Sequence, residues 1–119
     1  MTQSNRQGRI EISPHAIATI AGDAVLRCYG VVGVANKSLI DGLADLLQPE
    51  RWVRGVEVQV RGGQIIVDLY VIVQYGTRIS EVANGVMSNV KYALEQALGM
   101  PIAAINVHVQ GLRVPNDSS

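Results

Sequence analysis

Val56-Glu-Val-Gln-Val-Arg61-Gly-Gly-Gln64-Ile-Ile-Val-Asp-Leu-Tyr-Val-Ile-Val-Gln74 is the stretch whose reading decides the fold. Its first run alternates strictly, which puts Val56, Val58 and Val60 on one face of a strand and Glu57, Gln59 and Arg61 on the other. Gly62-Gly63 supplies the positive φ angles that a tight hairpin turn demands. The second run continues the pattern, with Val67, Leu69, Val71 and Val73 on one face. Ile66, Asp68, Tyr70, Ile72 and Gln74 fall on the other. A hairpin with one apolar face is marginal alone and must be covered.

The cover lies on both sides of it in sequence. Upstream, Met1–Gln7 is polar and expected to fray, and Arg9–Ile12 alternates as a short strand. Ser13-Pro14 starts a helix, since the hydroxyl caps free N–H groups and Pro is preset for the first helical position. Apolar residues then recur at helical spacing from Ile17 to Cys28, and Gly30 reads as the stop, so the first helix is expected over about 14–29. Val31–Ala35 is a strand or an extended connector. A second helical pattern runs from Ser38 to Leu47, with Asp41 favourable in its first turn, and Pro49 ends it. Gln48–Gly55 reads as a polar connector.

Downstream, Tyr75-Gly76-Thr77 turns the chain. Ile79, Val82, Ala83, Val86, Val90, Ala93, Leu94, Ala97 and Leu98 line one side of a long amphipathic helix. Gly99-Met100-Pro101 stops it. Ile105, Val107 and Val109 alternate with Asn106, His108 and Gln110 in a last strand. Strand, helix and strand make a crossover unit, so the last strand is expected parallel to Ile65–Gln74. The hairpin is antiparallel, so the sheet is mixed. All these strands keep one polar face, unlike a sheet covered on both sides. The expected fold is α/β (α+β): a two-layer sandwich with a mixed sheet of three to four strands, helices on one face and the other face open. Residues 1–7 are expected to be disordered, 8–114 to form a single domain, and 115–119 to be a polar tail.

Composition narrows function. The chain has 119 residues, ten basic and ten acidic, so no net field attracts nucleic acid or an acidic membrane. Affinity for generic duplex DNA at physiological salt should be weaker than the roughly 10⁻⁴–10⁻⁶ M of basic non-specific binders. A salt-sensitive micromolar constant in an anisotropy titration would overturn that. The single Cys28 cannot form an internal disulfide and fits a reducing cytosol. Met1–Gly8 has no apolar core of a signal peptide, and no apolar run reaches the length of a membrane span. A cytoplasmic location is expected.

The inventory for catalysis is thin. His15 sits in the first helical turn, His108 on the polar side of the last strand, and Cys28 on the apolar side of the first helix. No Cys or His cluster has metal-ligand spacing, so no catalytic residue, metal or cofactor is expected. Glu11, Asp68 and His108 could meet on the open face. Gly30-Val-Val-Gly33 and Gly62-Gly63 lack the Lys and hydroxyl of a phosphate loop and read as turns. Arg51, Arg54 and Arg61, near Trp52, are the one basic and aromatic concentration, a candidate patch for an anionic ligand or a nucleic-acid strand. The open face is more informative. Ile66, Tyr70 and Ile72 are apolar where the neighbours are polar, and with Asp68 and His108 they form a candidate interaction surface. Two covers fit it: another protein, or Ser38–Leu47 or the N-terminal strand within the monomer.

Several fragments in order resemble the bacterial alkaline shock protein family, also called the Gls-type or envelope stress response family. They are Gly8-Arg-Ile-Glu-Ile-Ser, Cys28-Tyr-Gly-Val-Val-Gly-Val-Ala, Gly55-Val-Glu-Val, Tyr75-Gly-Thr-Arg-Ile, Val90-Lys-Tyr-Ala-Leu-Glu and Ile105-Asn-Val-His-Val-Gln-Gly. The resemblance is to the short single-domain branch, without long acidic tails. It implies a non-enzymatic cytoplasmic protein of the envelope stress response that self-associates and acts through protein partners. It also implies a peripheral place at the inner face of the membrane, reached through a membrane-anchored partner rather than by direct insertion. It carries over no site residues. The alternative is a small regulatory domain that binds an anionic ligand or nucleic acid through Arg51–Arg61.

Overall fold

The computed structural model describes residues 2–5, 7–34, 52–53 and 55–114. Its elements, in chain order, are β1 (Thr2–Asn5), β2 (Gly8–Glu11), α1 (Pro14–Leu26), β3 (Val31–Val34), β4 (Trp52–Val53), β5 (Val56–Arg61), β6 (Gln64–Gln74), α2 (Ile79–Leu98) and β7 (Ala104–Arg113). The central hairpin forms as its alternation requires. β5 and β6 pair antiparallel from Val56↔Leu69 to Arg61↔Gln64. Gly62 and Gly63 turn between them at φ of 56° and 80°, which side chains with a Cβ rarely adopt.

β6 is the axis of the sheet. β7 runs parallel to it from Ile66↔Ala104 to Gln74↔Arg113, with an irregularity that leaves Gln110 unmatched. β5 pairs with residues 64–69 of β6, and β3 pairs antiparallel with residues 71–73. A strand has two edges and β7 occupies one along residues 66–74, so β5 and β3 share the other edge end to end. β4 adds to β5 through Trp52↔Glu57 and Val53↔Val56. The sheet is mixed, as expected, with five strands rather than three to four. The extra one is β4, whose two residues lie inside what reads as a polar connector.

Both described helices cover one face. Ser13 caps α1, its Oγ accepting from the Ala16 N–H at 3.1 Å, with Pro14 in the first turn. The helix ends at Leu26 rather than near residue 29, and the stop is not Gly30. Instead Gly30 closes the loop into β3 at φ 86°, and its carbonyl accepts from the Gln74 N–H at 2.8 Å. α2 ends on Gly99, left-handed at φ 72°, which lets its N–H reach the Glu95 carbonyl at 2.9 Å. α1 packs over β5 and β3, and α2 over β7. Ile17, Ala21 and Val25 of α1 and Val82, Val86, Val90 and Leu94 of α2 are buried against Ile65, Val67, Leu69, Val71 and Val73 of β6.

The N-terminal segment departs from expectation. Thr2–Asn5 pairs antiparallel with Gly8–Glu11 in a two-stranded sheet of its own, where fraying is expected from its polarity. A polar run carries no apolar alternation, yet its backbone groups pair as well as any. The expected helix over Ser38–Leu47 lies outside the described residues, and so does the question of whether it covers the open face.

Candidate functional site

The face of the sheet away from α1 and α2 is built by the even-numbered residues of β6. Ile66, Asp68, Tyr70 and Ile72 project there and are half-buried, whereas their odd-numbered neighbours are fully buried under the helices. The ladder arranges this face in rows. Gln59, Ile66 and Ala104 form one, Glu57, Asp68 and Asn106 the next, and Tyr70 and His108 a third. In the fourth, Ile72 stands between Gly33 and Gly111. Neither glycine has a side chain to shield its flanks.

Asp68 is the electrostatic centre. Its register neighbour on β5 is Glu57, and like charges directly opposite destabilise a sheet. β7 supplies the compensation. Asn106 Nδ2 donates to Asp68 Oδ1 at 3.1 Å, and His108 Nε2 lies 3.0 Å from the same oxygen. The second contact becomes an ion pair when the imidazole is protonated. The Asp68 side chain is 14% exposed, so these donors replace water that the carboxylate has lost. His108 also stacks on Tyr70, ring centroids 4.5 Å apart and planes 12° from parallel.

Burial pushes the Tyr70 phenol up from its ordinary value, and the charges of Asp68 and Glu57 push it further the same way. The folded protein thus holds this proton more tightly than the unfolded chain. The stability it contributes is full below about pH 10 and is lost as pH rises through the folded-state value. Phenolate absorbance, taken as the difference between wild type and Tyr70→Phe, should place Tyr70 above about 10. Asp68→Asn should bring it part of the way back, because burial remains. A Tyr70 titration unchanged by Asp68→Asn would mean that the carboxylate does not act on the ring.

Of the residues singled out in the sequence, Asp68 and His108 meet, and Ile66, Tyr70 and Ile72 share their face. Glu11 does not join them; it lies in β2, paired with Arg9 at 3.5 Å. Arg61 is exposed at the hairpin turn, while Arg51 and Arg54 lie outside the described residues. Cys28 is buried and its thiol is directed at the Ala24 carbonyl at 3.4 Å, as befits a core residue. His15 is exposed on α1. Among the described residues no group of three or more His, Cys, Asp or Glu could hold a metal ion. An open cleft of about 390 Å³ lies at the start of α2, lined by Tyr29, Gly76, Thr77 and Arg78 among others. The cation there is engaged by Glu81 at 2.9 Å. Sequence reasoning missed Glu57 and Asn106 as members of the Asp68 cluster. Alternation puts both on the right face, but only the register sets them beside Asp68.

The family model "Asp23 family, cell envelope-related function" matches residues 2–114 (the name is unrelated to residue Asp23 of this chain). Two bacterial relatives, both themselves uncharacterized, match over most of their length. YloU of Bacillus subtilis is 48% identical over 93% of each chain. Spy1614 of Streptococcus pyogenes is 38% identical over 97% of this chain and 96% of its own. Among solved structures, variants of the MamM CTD share the fold. One superposes with a TM-score of 0.50 at 17% identity, covering 81% of this chain and 92% of its own. Another, in a zinc form, reaches 0.51 at 14% identity, covering 87% and 90%.

Proposed function

Because the chain belongs to the Asp23 family, the alkaline shock protein family of cell envelope-related function, we propose that it is a non-enzymatic interaction protein of the envelope stress response. It acts through protein partners and through its own self-association, and the open sheet face is the contact surface. The observation that carries this reading is the strip of Ile66, Tyr70 and Ile72, which point one way from a single strand with Asp68 between the first two, inside a rim of Glu57, Gln59, Asn106 and His108. An apolar strip within a polar rim is the anatomy of a protein contact. Burying it contributes about 25 cal/mol per Å², which offsets part of the association entropy. A two-fold contact uses the same patch twice and needs no charge complementarity, which suits a chain of formal charge zero.

The polar cluster is satisfied within the sheet, the carboxylate accepting from two donors of β7. A membrane-anchored partner is the proposed route to the inner face of the membrane. No helix among the described residues is long and apolar enough to cross one.

The test is light scattering on the wild type and on Tyr70→Glu combined with Ile72→Lys. The wild type should self-associate, and the double change should lower the assembly state while the far-ultraviolet spectrum stays folded. A wild type that is monomeric at high micromolar concentration would sink the reading, as would an assembly that the double change leaves intact.

A further inference from the structure

The outer edge of β7 is distinct from the open face. β7 hydrogen-bonds to β6 along one side, and among the described residues no strand pairs with the other. A ten-residue edge whose outward N–H and C=O groups meet no strand among the described residues is a template for another strand. Natural edges are blunted by charge and by proline, yet Ala104–Leu112 contains no Asp, Glu, Lys, Arg or Pro. Its one such device is the irregularity at Gln110, which leaves Ala104–Val109 regular.

The apolar layer beneath α2 is also unfinished along this edge. Leu69 and Val71 are fully buried, while their register partners Val107 and Val109 are only half-buried. On α2, Asn89 reaches towards α1, its Nδ2 3.7 Å from Cys28 Sγ. Met87 is two positions away, which at about 100° per residue puts it on the flank away from α1. That side chain is 39% exposed. Among the described residues, an unpaired strand edge, half-buried valines and an exposed methionine coincide on one side of the molecule.

We propose that β7 pairs antiparallel with β7 of a second copy, about a two-fold axis at Val107, so that two sheets become one. In this register Val107 meets itself. Ile105 faces Val109 of the second copy on the helix side, and Asn106 faces His108 of the second copy on the open side. Apolar meets apolar and polar meets polar, and no formal charge lies in the paired stretch to repel its own copy. An extended peptide would also satisfy the backbone, but it would not share this two-fold match of β7 with itself. The pairing sets two open faces side by side as one platform, which goes beyond the open-face reading because edge and face are different surfaces.

Val107→Cys tests the register. Opposed residues of antiparallel strands lie about 4.5–5.5 Å apart at Cα, within the reach of a disulfide. Mild oxidation should convert Val107→Cys to a covalent dimer, whereas Arg61→Cys at the hairpin turn and the wild type with its buried Cys28 should form no covalent dimer. Hydrogen exchange on the wild type needs no substitution and should protect the outward amides of β7 at high protein concentration. Tyr70→Glu with Ile72→Lys should fall to a dimer and no further. Freely exchanging outward amides in a monomeric wild type would overturn the proposal. So would amides that become protected only when a peptide is added. An assembly dispersed to monomers by the face variant, with no cross-link at Val107, would sink the edge and leave the open-face reading standing. A dimer that cross-links at Val107 and ignores the face variant would do the reverse.

Discussion

Leu69→Ala should lower the free energy of unfolding by about 2–5 kcal/mol. Leu69 is fully buried in the middle of β6, opposite Val56 on one side and Val107 on the other, with α1 and α2 above the sheet. Truncation there removes apolar transfer energy. It also leaves a cavity that a strand hydrogen-bonded on both edges cannot collapse to fill. Arg61→Ala, exposed at the hairpin turn, should change stability by less than about 0.5 kcal/mol. Denaturant unfolding of the two variants measures both. Changes of equal size would mean that the odd-numbered side of β6 is not the core face.

Gly30→Ala should cost about 2–5 kcal/mol, as the sum of two penalties. The first is conformational: Gly30 sits at φ 86°, where a Cβ costs roughly 1–2 kcal/mol. The second is steric. A Cβ built on Gly30 would lie 2.6 Å from Val82 Cγ2 and 3.2 Å from Cγ1, and Val82 is buried on α2. Overpacking of this kind costs about 1–3 kcal/mol. Val82→Ala in the same chain should relieve the steric part and leave the conformational part. The double-mutant cycle should therefore show favourable coupling between two positions that lie far apart in sequence. Strictly additive losses would mean that α2 shifts to accommodate the methyl group. The close approach also explains why this loop is built on glycine, although Gly30 is not the helix stop that its place in the sequence suggests.

How much of this was legible beforehand follows from what periodicity encodes. The hairpin and α2 were legible because period-2 and period-3.6 patterns are long there and Gly62-Gly63 and Gly99 punctuate them. The parallel placement of β7 followed from the crossover. β1 and β4 were not legible: one is polar throughout, and the other has two residues, too few for any pattern. Alternation placed Asp68, Tyr70 and His108 on one face but left their neighbours undefined. A face is a property of one strand, whereas a neighbour depends on register, and register is set by backbone pairing between segments that the sequence separates. The same gap hid the outer edge of β7, which no described strand pairs with, because strand order is written in no single stretch.

The three partners of β6 also imply an order of assembly. β5 joins it across two glycines, whereas Asp68 and Asn106 are 38 positions apart. Closing a long loop costs more entropy than closing a short one, and non-local pairing slows folding. The hairpin is therefore expected to nucleate, with β7 arriving after α2 has formed and docked. Until then the β7 side of β6 is bare, and β6 carries more apolar residues than any other described strand. During synthesis this interval is enforced, since β6 leaves the ribosome before β7 does. The kinetic hazard of this fold thus lies in a strand that is paired along both edges at equilibrium, and slow formation of α2 would surface first as lost soluble yield.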